Sequence, residues 1–184
     1  MQLPQNTLEY VLDQDNIILA IGGAWDGFAA GNNGNHLTAD RVIGQPLLNF
    51  ISGKVTKQLW LDIFGKVRIA NASANIDFRC DAPTEKRFMR MTVKPEAHGQ
   101  LRITCQLLRQ EPIARPVLIT CAKERSKQTL VRCSLCNRIN HQNIWQEAGQ
   151  LASAQGRGHW LVVYGICPAC QETLANEMEA LVGG

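Results

Sequence analysis

The sequence predicts an α+β fold: an antiparallel sheet with helices on one face, followed by a small cysteine-bearing module. Three observations carry that prediction. Three segments between residues 75 and 112 alternate apolar and polar side chains in succession. One long stretch with helical apolar spacing precedes them. Two C-x-x-C pairs, Cys133/Cys136 and Cys167/Cys170, then gather four of the seven cysteines near the end.

The elements follow in order. "EYVLDQDNIILAIG" is two apolar runs split by Asp13-Gln14-Asp15-Asn16, which predicts a hairpin. "GAWDGFAAGNNGN" predicts a short helix ended by Gly31 and the asparagines. "KVTKQLWLDIFGKVRIAN" places Val55, Leu59, Ile63 and Val67 at a spacing of four, with Trp60 and Phe64 beside them, so the expected apolar face runs along those residues. Ile76, Phe78 and Cys80 then share one face of a strand. Met89, Met91 and Val93 share a face of the next, and Leu101, Ile103, Cys105 and Leu107 of the third. His98-Gly99 is a turn between the last two. "PVLIT" (116–120) is expected to extend the third strand, and the polar "AKERSKQTL" (122–130) to be a linker. The domain boundary is therefore set there: 1–121 and 122–184.

Composition narrows the function. With 45% hydrophobic residues in 184, a sizeable core is available. From Glu85 to Arg125 there are nine Lys or Arg against four Glu, a surplus expected on the solvent side of the sheet. From Val131 onward there are three Arg against four Glu, a net −1, which weighs against nucleic acid as the partner of the cysteine module. The N-terminus has neither the basic flank nor the apolar run of a signal peptide, and no stretch of about 20 apolar residues could span a bilayer. A cytoplasmic location is expected. In that compartment paired cysteines point to metal ligation or thiol redox chemistry rather than disulfides.

The order of hairpin, short helices, longer helix and three strands resembles the PAS domain over residues 8–120. "YVLDQDNIILAIGGAWDGFA" is similar to its opening hairpin and first helix. Ile43, Gly44 and Leu47 in "DRVIGQPLLNFI" are similar to its I-G-x-x-L stretch. The resemblance implies a five-stranded antiparallel sheet and a sensory role, with homodimerisation or another signalling protein as partner. The tail is similar to a cysteine module found in some bacterial PAS-containing signalling proteins, through Cys133, Cys136, Trp145, Gly165, Ile166, Cys167, Pro168 and Cys170. Those proteins usually carry an output domain, and no motif of one occurs in this sequence.

The cysteine pairs also stand without the family. Zn²⁺ favours four tetrahedral ligands, and two C-x-x-C turns supply four sulfurs. A closed four-sulfur shell leaves no position for water, so the zinc is expected to be structural. A redox switch that releases the metal, and iron–sulfur ligation, are the other chemistries this pattern allows. His141 and His159 lie near enough in sequence to replace a ligand. "NIWQEAGQLASAQ" (143–155) predicts a helix, with Trp145 against the metal module. "HWLVVYG" predicts a strand, and "PACQETLANEMEAL" a helix opened by Pro168.

Other candidates are weighed against packing. Trp25, Phe28, Trp60, Phe64, Phe78, Met89 and Met91 are either core or the lining of a small-ligand cavity between sheet and helices. Cys80 and Cys105 lie on apolar strand faces, where buried, inert thiols are the default; Cys121 is open. Residues 41–70 hold no Cys and no His, against a flavin-type reactive cysteine and against haem in the usual PAS position. Asp77, Arg79 and Asp81 read as a charged sheet face. No G-x-S-x-G, Walker, H-E-x-x-H or G-x-G-x-x-G motif is present, so enzymatic activity is not expected. Three functional classes stay open: a sensory or protein-interaction module with structural zinc, a thiol redox sensor, and a zinc-module transcription regulator.

Overall fold

The computed structural model describes residues 7–32, 34–82 and 84–181. Its first half is a five-stranded antiparallel sheet. Thr7–Leu12 (β1) and Ile18–Gly23 (β2) form the opening hairpin, Ala74–Arg79 (β3), Glu85–Pro95 (β4) and Leu101–Pro112 (β5) the meander. β5 lies against β1 and β4, so the order is β2-β1-β5-β4-β3. Trp25–Gly31 (α1), Ala39–Val42 (α2), a 3-10 turn at Leu47–Phe50 and Lys54–Ala70 (α3) lie between the hairpin and the meander. This is the α+β, PAS-like architecture that the sequence predicts.

One face of the sheet is dry. Val42, Leu47, Ile63, Phe64 and Val67 from the helical segment pack with Leu8, Leu12, Ile76, Met89, Met91, Val93, Leu101 and Ile103 in one core. The other face carries polar pairs across strands: Arg90 with Asp77, Thr92 with Asn75, and Arg102 with Glu9 and Glu96. Strand alternation accounts for both faces. The buried face of α3 is rotated from the expected one. Thr56, Ile63, Phe64 and Val67 are buried, whereas Val55 is 55% exposed. The i, i+4 row through Val55 is continued by Leu59, Ile63 and Val67, but the start of α3 turns its Thr56 side toward the tail instead.

The second half is a mixed sheet in the order β6-β10-β7-β8-β9, built from Leu118–Cys121 (β6), Leu130–Cys133 (β7), Ile139–His141 (β8), Ile144–Gln146 (β9) and His159–Gly165 (β10). Two helices, Ala148–Gln155 (α4) and Pro168–Ala180 (α5), complete it. Two readings need correction. Residues 118–120 of "PVLIT", with Cys121, do not extend β5; they pair in parallel with β10, inside the second sheet. A strand placed before the 122–130 boundary is thus hydrogen-bonded to the part placed after it. The helix expected over 143–155 begins only at Ala148; Ile144–Gln146 pairs antiparallel with β8.

Candidate metal centre

The two thiol-bearing turns meet because their strands are parallel. Val162–Gly165 of β10 pairs with Leu130–Cys133 of β7, so both strands end at the same edge and both C-x-x-C turns leave from it. Gly165 permits this approach: a Cβ there would lie 2.9 Å from Val131 Cγ1. The first turn folds back into β8. The Cys133 amide donates to the Arg138 carbonyl at 2.8 Å and the Asn137 amide to the Cys133 carbonyl at 3.0 Å, with Asn137 at φ 61°. Asparagine tolerates that left-handed conformation. The second turn runs into α5, with Cys167 at the N-cap and Pro168 in the first turn, where its missing N–H leaves no helical bond unmade.

The sulfurs of Cys133, Cys136, Cys167 and Cys170 all lie within 4.8 Å of one another. Cys136 Sγ and Cys167 Sγ are 3.7 Å apart. A tetrahedron of Zn–S bonds of about 2.3 Å has an edge of about 3.8 Å, so the spacing fits such a shell. Cys133 and Cys167 are buried, and Cys136 and Cys170 half-buried. All four are thiols rather than disulfides.

The electrostatics call for a cation. The Cys133 thiol is pushed down to about 4, first by a hydrogen bond from the Cys136 thiol and then, against the cost of burial, by backbone amides of Cys136, Cys167 and Leu135. The Cys167 amide donates to Cys133 Sγ at 3.4 Å. Sharing its proton with Cys133, and burial, push the Cys136 thiol well up. Burial, with the neighbouring sulfurs, pushes Cys170 up to about 12. One thiolate is therefore supported by the Cys136 thiol and, after it, by the backbone, and further ionisation is opposed by the others. A divalent ion reverses that opposition, because a coordinated thiol loses its proton outright. The donor set and spacing thus suit a metal held by four sulfurs.

The quartet is fastened to the outer edge of β3. The Arg79 amide donates to the carbonyl of Leu135, between Cys133 and Cys136, at 2.7 Å. Glu177 of α5 accepts from the Asn75 amide at 2.9 Å. These two contacts occupy N–H groups that an edge strand would otherwise present to another chain. Cys133, Leu135, Ile166, Cys167, Leu174 and Met178 belong to the same apolar core as the first sheet. Gly53, which caps α3 at φ 87°, lies against the Tyr164 backbone, and Thr56 Oγ1 meets Ser134 Oγ at 2.7 Å. Trp145 packs against this core.

Arg79 completes the junction. Its guanidinium donates to Asp81 and to Glu147, both at 2.6 Å, and Lys86 lies 3.4 Å from Glu147. The charges at 77, 79 and 81 thus divide: Asp77 serves the open sheet face and Arg79–Asp81 the seam. Burial alone would raise the Glu147 carboxyl; Arg79 and Lys86 overcome it and hold it below its ordinary value.

The remaining candidates disperse. His141 and His159 line a separate recess of about 590 Å³ with Lys127, Arg157 and Trp160; among the described residues the metal-ligating cluster is cysteine alone. Cys105 is buried, its thiol pushed up to about 12 by burial, and Cys80 is raised by the same cause; neither has the low pKa of a reactive thiol. Cys121 is exposed. Of the seven aromatic and methionine candidates, Phe28 and Met89 line a cavity of about 290 Å³ under α1. Trp25 donates to the Leu37 carbonyl at 2.7 Å and meets Tyr10 edge-on. Trp60 and Phe64 stack on α3, and Phe64, Met91 and Phe78 pack in the core. Arg87 also lines the cavity: it has the parity of Met89, Met91 and Val93, so strand alternation places it on the inner row.

No family model and no curated protein matches the chain. Among solved structures it is similar to a domain of an HTR-like protein from Haloarcula marismortui ATCC 43049, at 11% identity and a TM-score of 0.43, over 56% of this chain and 99% of that one. It is also similar to the PAS domain of the Cronobacter turicensis RpfR quorum-sensing receptor, in its complexes with C12:0 and with BDSF. Each gives 12% identity and a TM-score of 0.45, over 59% of this chain and all of that one. At that identity and superposition no function is transferred.

Proposed function

We propose that this chain is a sensory or protein-interaction module in which a PAS-like domain receives a small ligand or a partner, and a structural zinc held by Cys133, Cys136, Cys167 and Cys170 fastens the tail to it. The observation that carries this reading is the convergence of four sulfurs at the seam between the two sheets. A closed thiolate shell favours zinc and offers no vacant position for catalysis. The module is not an enzyme on this reading, and it passes its signal by binding another protein or a second copy of itself. The cytosol is where four reduced thiols would persist. Among the described residues no helix is long and apolar enough to cross a membrane.

Metal analysis of reduced protein prepared without chelator tests the zinc: about one zinc per chain is expected. A redox reading has one observation in its favour, the partial exposure of Cys136 and Cys170. It predicts zinc release under mild peroxide together with a change in oligomer or partner affinity. Zinc retained under those conditions excludes it.

A further inference from the structure

The cavity under α1 is apolar except at one end. Leu8, Ala24, Phe28, Met89 and Leu107 form its walls, and Arg87, Asn32 and Gln110 supply the polar groups. Its volume of about 290 Å³ lies just below the range of small-molecule sites, about 300 to 1,000 Å³, which suits a small ligand. Arg87 reaches it from the inner row of β4, two residues before Met89.

The guanidinium is held in place but not neutralised. Asn32, just after α1, donates through Nδ2 to the Phe28 carbonyl at 2.6 Å, which leaves its Oδ1 to accept from Arg87 Nη1 at 2.8 Å. The Arg87 guanidinium also lies 5.6 Å from the Phe28 ring centre. Its Nε is buried and has no hydrogen-bond partner among the described residues. The nearest carboxylate, that of the half-exposed Glu85, stands 3.9 Å from this Nε, beyond hydrogen-bond distance. By contrast, Arg79 and Arg102 each meet two carboxylates at 2.5–2.6 Å. A fixed cation with an open donor, facing an apolar cavity, is complementary to an anion joined to an apolar body.

We infer that this cavity binds a small carboxylic acid, with the carboxylate on Arg87 and the apolar chain or ring against Leu8, Phe28, Met89 and Leu107. The inference deepens the small-ligand part of the proposed function and is independent of the metal. Aliphatic carboxylates from butyrate to decanoate, and the alcohols of matching chain length, are titrated into the full-length, zinc-loaded protein by calorimetry. The carboxylates should bind at least about 10-fold more tightly than the matched alcohols, the size of one charge-assisted contact. Arg87→Met, which keeps the stem and removes the charge, should erase that difference. Arg87→Lys should retain part of it.

Equal binding of acids and alcohols by the wild type overturns the carboxylate assignment and leaves a small-ligand site standing. Binding of neither series overturns it too, and with zinc content intact the metal-fastened module survives that result. An acid preference that persists in Arg87→Met moves the anion site elsewhere and is equally fatal. If Arg87→Met fails to fold, Arg87→Lys carries the test: a reduced acid preference supports the assignment and an undiminished one overturns it.

Discussion

The two sheets are held together by different means. The first closes over a continuous core in which Leu12, Ile63, Phe64, Val67, Val93, Leu101 and Ile103 are at most 1% exposed. Among the described residues the second has a separate cluster of five buried residues, Ile139, Leu151, Ala152, Trp160 and Val162. Among the described residues, its other buried apolar side chains belong to the core of the first sheet. A unit with so little apolar interior folds when a metal or a larger neighbour completes it. Here the larger neighbour and the four sulfurs that could hold a metal meet at one place, where the tail joins β3.

That contrast can be broken most forcefully at the sulfurs. Metal binding supplies about 10–16 kcal/mol to folding in isolated zinc modules. Cys133→Ser or Cys167→Ser should therefore abolish stoichiometric zinc and unfold much of residues 118–181. The first sheet should retain its protection in hydrogen exchange, with added exposure at the outer edge of β3. Protection lost equally across both sheets would show that the two are one cooperative unit with no division of labour.

Phe64→Ala is the reciprocal test. A truncation in the first core should cost about 3–5 kcal/mol in denaturant unfolding, with zinc content unchanged. A variant that folds but loses its metal would mean that the quartet depends on the helical layer more than its own strands suggest.

At the seam, Arg79→Met leaves Asp81 and Glu147 without their partner and should cost about 3 kcal/mol. It also has a pH signature. The Glu147 carboxyl is held below its ordinary value, so its contribution is present above about pH 4.5, the unfolded range, and fades as pH falls through the lower folded value. Stability of the wild type should drop over that acid window, and Arg79→Met should lose less there. Parallel pH curves for the two proteins would remove Arg79 from the account. The smallest effect is expected at Val55→Ser: a side chain 55% exposed should change stability by no more than about 0.5 kcal/mol. A large loss would restore the apolar face that the spacing of four implied.

Local patterns carried the first sheet. The hairpin at Asp13–Asn16, the alternation through Ile76, Met91 and Ile103, and the turn at His98-Gly99 each follow from neighbours in sequence. The cysteine cluster was legible for the same reason, since a C-x-x-C spacing is local chemistry. What stayed hidden depends on distant partners. β6 looks like a continuation of β5 until β10, about 40 residues later, pairs with it in parallel. Ile144–Gln146 was read as the start of the helix that follows it and is a strand because β8 lies beside it. The surplus of cations was expected on the solvent side of the sheet, yet Arg87 has the parity of Met89 and lies on the inner row; Asn32 and the Phe28 ring accommodate its charge there, contacts that no local pattern shows.

X-ray absorption at the zinc edge of the reduced, chelator-free protein tests the metal fastening most directly. Four sulfur neighbours at about 2.3 Å, with one zinc per chain, are expected. A protein without stoichiometric metal, or a zinc shell completed by nitrogen or oxygen in place of one of the sulfurs, would contradict it.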